Sequence, residues 1–81
     1  MDRILSNHYR DITTYLEEQI KNYYVKRDFT VYCVWLWWQD KEQKYFVDIE
    51  IGGSPLKYKH IKGYYDYKTL DEHYNFILSE H

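Results

Sequence analysis

Residues 31–51 read VYCVWLWWQDKEQKYFVDIEI, two runs of β-branched and aromatic residues joined by the polar segment QDKEQK. The second run alternates. Tyr45, Val47, Ile49 and Ile51 are apolar, while Phe46, Asp48 and Glu50 stand between them. A period of two marks a strand with one buried face, so the odd-numbered side of 45–51 is expected to face the core. The first run, Phe29 to Trp38, is equally rich in strand formers, and the polar turn makes the pair an antiparallel hairpin. Trp35, Trp37 and Trp38 fall within four positions of it. Successive strand residues point to opposite faces, so these three indoles cannot share one core.

Loop lengths set the register. A four-residue loop at Asp40–Gln43 places Gln39 opposite Lys44. A second loop, Gly52–Pro55, carries the strong turn chemistry GGSP and places Ile51 opposite Leu56, which opens a third strand running to about Tyr64. The inner face then collects Tyr32, Val34, Leu36 and Trp38, then Tyr45, Val47, Ile49 and Ile51, then Leu56, Tyr58 and His60. On the outer face Glu50 lies opposite Lys57 and Asp48 opposite Lys59, and Phe46 sits between Trp37 and Ile61. Two opposite-charge pairs and an apolar cluster from one assumption favour this register. A five-residue first loop would exchange the faces of the first strand.

Helices flank the sheet. Leu5, Tyr9, Ile12, Leu16, Ile20 and Tyr23 recur at spacings of three and four between Asp2 and Tyr24, with Asp2 where an N-cap belongs. At the other end, Thr69 with Glu72 reads as a capping box, and Leu70, Tyr74, Ile77 and Leu78 form the apolar stripe of a short helix. The expected fold class is α+β in the order α-β-β-β-α, a three-stranded antiparallel sheet with both helices packed on one face. Residues 1–81 make a single compact domain, near the small end of what folds unaided.

Composition narrows the function classes. Aromatic residues make up 21% of the chain and 11 of them are tyrosines, more than a core of this size uses. The formal net charge of −2 gives no general pull toward nucleic acid or acidic membrane. The opening MDRILSNHYRD has no apolar signal-peptide core, and no run approaches the length of a membrane span. A single cysteine, Cys33, excludes an internal disulfide and suits a reducing, cytoplasmic setting.

Catalytic chemistry finds no framework. His8, His60, His73 and Cys33 show no metal-ligand spacing, and Cys33 sits mid-strand, where a small buried thiol is the ordinary reading. Gly52-Gly53 leads into Ser-Pro and not into a phosphate-binding helix. The sequence therefore points to no enzyme, cofactor or metal.

What remains is binding. An uncovered cluster of Trp35, Trp37, Phe46 and Ile61 marks a partner site, with Asp48, Glu50, Lys57 and Lys59 as its polar rim. Alternatively, the last helix or the segment around Tyr64, Tyr65 and Tyr67 folds over that face, or two copies cover each other as a homodimer. A nucleic-acid module would use Lys57, Lys59 and Lys62 with Tyr58, Tyr64 and Tyr65, although Asp48 and Glu50 oppose it. Asp40, Glu42, Asp66, Asp71, Glu72 and Glu80 invite comparison with a phosphate mimic, but Asp71 and Glu72 already suit a first helical turn.

The element order is similar to that of the double-stranded RNA-binding domain. That family needs a lysine cluster where this chain has Asp71 and Glu72, so its function does not carry over. The Tyr-, Lys-, Asp- and Glu-rich composition and the α-β-β-β-α plan also resemble the short inhibitor proteins of phages and mobile elements, the anti-CRISPR proteins among them. That resemblance implies a stoichiometric protein inhibitor or adaptor, with a bacterial nucleoprotein nuclease complex as the type of target.

Overall fold

The computed structural model describes residues 8–53 and 57–76. β2 (Lys44–Gly52) is the central strand of a three-stranded antiparallel sheet, between β1 (Thr30–Gln39) and β3 (Tyr58–Tyr65). α1 (Thr13–Lys26) precedes the sheet and α2 (Tyr67–Tyr74) follows it, which makes this the expected α+β fold. The proposed Asp2 cap and the first helical positions lie outside the described residues, as do Leu56, Ile77 and Leu78. From residue 8 the chain makes one helical turn, breaks at Ile12 and continues as α1.

α1 ends where its backbone turns left-handed at Asp28, φ 67°. There the Phe29 N–H reaches the Tyr24 carbonyl and the Asp28 N–H the Val25 carbonyl, each at 3.0 Å. This pair of bonds satisfies carbonyls that the helix itself leaves open. The Phe29 ring meets the Tyr24 ring edge-on at 5.7 Å, the apolar contact that accompanies such an end. α2 is capped by Asp66, whose carboxylate accepts the Thr69 N–H at 2.8 Å, so Thr69 is the receiver of the cap and not the cap itself. Asn75, left-handed at φ 56°, closes that helix.

The odd-numbered side of β2 faces inward as its alternation required. Tyr45, Val47, Ile49 and Ile51 are buried against Leu16, Ile20 and Tyr24 of α1, Leu36 of β1, and Leu70 and Tyr74 of α2, with Phe76 at one end. Both helices therefore sit on one face. Three buried phenols have hydrogen-bond partners. Tyr24 Oη and Tyr74 Oη share a hydrogen bond of 2.7 Å, and Tyr45 Oη donates to the Tyr9 carbonyl at 2.6 Å. Burial pushes all three hydroxyls above the ordinary tyrosine range. Glu17 of α1 reaches the free edge of β1, where its carboxylate accepts the Leu36 N–H at 2.8 Å. An open edge amide is thereby satisfied and the helix fastened to the sheet.

Register follows expectation in one hairpin and departs from it in the other. Gln39 pairs with Lys44, Trp37 with Phe46 and Leu36 with Val47, as the four-residue loop demanded. Near its start β1 carries a bulge between Val31 and Cys33, so Val31 pairs with Ile51 and Cys33 with Glu50. The extra residue, Tyr32, leaves the inner set and is exposed. β2 pairs with β3 three positions beyond the expected register, with Ile51 opposite Lys59. An odd shift exchanges the faces of the whole strand. Ile61 consequently turns inward with Gly63 and Tyr65, while Tyr58, His60, Lys62 and Tyr64 turn outward.

Candidate functional site

The outer sheet face is built in four rungs. At one end Trp37, Phe46 and Tyr64 lie abreast on the three strands, and in the next rung Trp35, Asp48 and Lys62. Cys33, Glu50 and His60 follow, and Tyr58 opposite Gly52 closes the far end with Tyr32 beside it. Strand pleating sets this composition, since each residue shares its face with those two positions away.

Ring contacts join the apolar end into one surface. Trp35 and Trp37 stack with centroids 5.6 Å apart and planes 13° from parallel. Trp37 meets Phe46 at 5.7 Å and Phe46 meets Tyr64 edge-on at 5.2 Å. The Lys62 ammonium lies 6.0 Å from the Phe46 ring centre, at the limit of cation–π contact. Tyr32 and Tyr58 make a second aromatic pair at 6.3 Å. Of the seven large apolar side chains most exposed among the described residues, five are on this face: Tyr32, Trp35, Trp37, Tyr58 and Tyr64, at 44–59%. α2 does not cover it, because Leu70 and Tyr74 are in the core on the other side.

The middle of the face is polar. His60 Nε2 and Asp48 Oδ1 are 2.6 Å apart, and Tyr58 Oη donates to Glu50 Oε1 at 2.9 Å. That bond to Glu50 is the main reason the Tyr58 hydroxyl titrates above its ordinary value. Cys33 Sγ lies 3.7 Å from Glu50 Oε2 and 3.8 Å from the Asp48 carbonyl. Burial, with the Glu50 and Asp48 charges next to it, raises the Cys33 thiol as well. The donor atoms of Cys33, Asp48 and Glu50 all lie within 4.8 Å of one another.

Among the residues expected to form the site, Trp35, Trp37, Phe46, Asp48 and Glu50 share this face. The other three do not. Ile61 belongs to the inner set, Lys59 pairs with Ile51 and shares that parity, and Lys57 precedes β3. The partner of Glu50 is thus His60, not Lys57, and the neighbour of Asp48 is Lys62, not Lys59. Sequence reasoning omitted Tyr32, Tyr58, His60, Lys62 and Tyr64 from the site. The alternation Tyr58-x-His60-x-Lys62-x-Tyr64 was a legible signal for four of them, whereas the bulge at Tyr32 left none.

No protein-family model, curated protein or solved structure matches this chain. Among the described residues no helix is long and apolar enough to cross a membrane.

Proposed function

We propose that this is a non-catalytic protein-binding domain, a cytoplasmic stoichiometric inhibitor or adaptor that docks through the outer face of its sheet. One observation carries the reading: Trp35, Trp37, Phe46 and Tyr64 form a joined aromatic surface on a rigid sheet, and the helices that could have covered it pack on the opposite side. Aromatic anchors around a few polar groups are the usual energetic anatomy of an interface. Burying about 100 Å² more on each of the five exposed rings gives ~12 kcal/mol of gross apolar stabilisation, before the entropic cost of association.

Charge selects among occupants. Asp48 and Glu50 lie midway along the face, so a second copy centred on it by a two-fold axis through that middle brings carboxylates against carboxylates. A single-stranded nucleic acid wants cations beside its stacked bases, but Lys62 is accompanied by two acids and Lys59 belongs to the other side. The complementary occupant is a protein with a flat apolar surface and an arginine or lysine at its middle. Blocking a nucleoprotein complex by covering its basic, nucleic-acid-binding surface is one action such a domain can perform.

The test is a comparison of wild type with the Trp35→Ala/Trp37→Ala double variant in mixtures treated with nuclease. The expected result is a one-to-one protein complex that the double variant loses, with Trp35 and Trp37 shielded from a soluble quencher in the complex. Binding that follows added oligonucleotide and collapses steeply with salt overturns the reading in favour of nucleic acid. A complex unaffected by both substitutions overturns it in favour of another surface.

A further inference from the structure

The polar middle of the outer face gathers four different donors from all three strands. Cys33, Glu50 and His60 occupy a single rung, and Asp48 stands beside them on the same face. We propose that Cys33, Asp48, Glu50 and His60 form a binding site for one divalent transition-metal ion of the zinc class.

Geometry supports the assignment first. A tetrahedral zinc ion with bonds of about 2.0–2.3 Å holds neighbouring donor atoms about 3.3–3.7 Å apart. Cys33 Sγ and Glu50 Oε2 already stand 3.7 Å apart, and no two donors among Cys33, Asp48 and Glu50 are separated by more than 4.8 Å. His60 Nε2 touches Asp48 Oδ1 at 2.6 Å, and its imidazole joins the three-donor set by turning from that carboxylate toward Cys33 and Glu50. The ligands stand on paired strands, which hold a site more tightly than loops do.

Donor chemistry supports it next. A thiolate and an imidazole select zinc-class ions over magnesium or calcium, which prefer oxygen alone. Tyr58 already occupies Glu50 Oε1, leaving Oε2 directed to Cys33, an outer hydrogen bond of the kind that orients metal ligands. Asp48 and Glu50 crowd two carboxylates on one strand face, while the ammonium of Lys62 lies over Phe46. On binding, Cys33 releases its proton to the buffer. The proton that His60 Nε2 directs at Asp48 leaves that nitrogen, for solvent from the imidazolium or for Nδ1 by tautomerisation through water in the neutral ring, and Nε2 then offers its lone pair to the ion.

This inference does not rest on the protein-docking reading. A cationic partner residue would use Asp48 and Glu50, whereas a zinc-class ion would also take the Cys33 thiolate.

Cobalt(II) titration of the purified protein is the test, because Cys33 is the only cysteine and any thiolate-to-cobalt charge-transfer band reports that side chain alone. One equivalent of cobalt is expected to produce the band together with tetrahedral visible absorption, and zinc is expected to displace it. Cys33→Ser is expected to abolish the band. His60→Ala and Glu50→Gln are each expected to weaken binding by more than about tenfold, with far-UV circular dichroism unchanged. Absence of the charge-transfer band in the folded wild type overturns the proposal. So does equal affinity in His60→Ala and Glu50→Gln.

Discussion

Leu36 and Trp37 are neighbours in sequence and opposites in structure, so replacing each by alanine reads out the two faces of the sheet. Leu36 is 3% exposed, in a core bounded by paired strands and α1 that has little freedom to collapse. Its truncation loses both transfer energy and the contacts of a cavity, roughly 2–5 kcal/mol. At about 0.05–0.15 kcal/mol per residue the whole domain has ~4–12 kcal/mol, so this single change removes a large fraction. Trp37 is 44% exposed and packs on Trp35 and Phe46. Solvent fills the space it vacates, and with just over half of its ~200 Å² withdrawn from water, less what the unfolded chain already buries, the cost to folding is about 2 kcal/mol. The assay is urea unfolding followed by far-UV circular dichroism, which does not depend on the indole removed. Leu36→Ala should lower stability by about 1–2 kcal/mol more than Trp37→Ala, with the slope against urea unchanged in both. An equal or larger loss for Trp37→Ala would refute the assignment of faces.

Other outcomes follow from the buried polar groups. Tyr24→Phe or Tyr74→Phe leaves the other hydroxyl of the pair buried and unmatched, at about 1–3 kcal/mol each, and the double variant should cost less than the sum, a coupling visible in a double-mutant cycle. Strict additivity would mean that the bond contributes nothing. The Tyr24, Tyr45 and Tyr74 hydroxyls are raised by burial above the ordinary 10.0, so the unfolded chain releases these protons first. Their contribution is whole below that pH and is lost as pH climbs from there through the raised values. The urea midpoint should accordingly fall in alkali, and a flat profile would contradict the burial. Glu17→Ala should cost about 1–2 kcal/mol by opening the Leu36 amide, and should raise the scattered light by freeing the edge of β1. Unchanged stability and scattering would show that edge to need no cover.

Much of the architecture was legible because β2 alternates so cleanly. Tyr45, Val47, Ile49 and Ile51 identify the buried side, and the four-residue turn ties Trp35 and Trp37 to the opposite one. The third strand was not legible, because GGSP fixes that a turn exists but not how many residues it spends before pairing resumes. Three positions of difference moved Ile61 to the inner face, packed against the core, and brought His60 and Tyr64 out. Tyr32 escaped for a related reason. A bulge inserts one residue without changing the composition of a strand, and VYCV contains no glycine to mark it. Cap residues show the same limit. Asp66 and Thr69 are both good N-caps, and only the backbone path shows that Asp66 accepts and Thr69 donates. The gathering of Cys33, Asp48, Glu50 and His60 depends on both registers together, so no linear spacing announces it.

Whether the outer face is kept for a foreign protein or for a second copy is tested most directly by light-scattering mass over a wide concentration range. The central claim predicts the monomer mass of 10.2 kDa throughout, for wild type and for Trp37→Ala alike. A wild-type mass that climbs toward the dimer with concentration, and returns to the monomer in Trp37→Ala, would contradict it and assign the aromatic face to self-association.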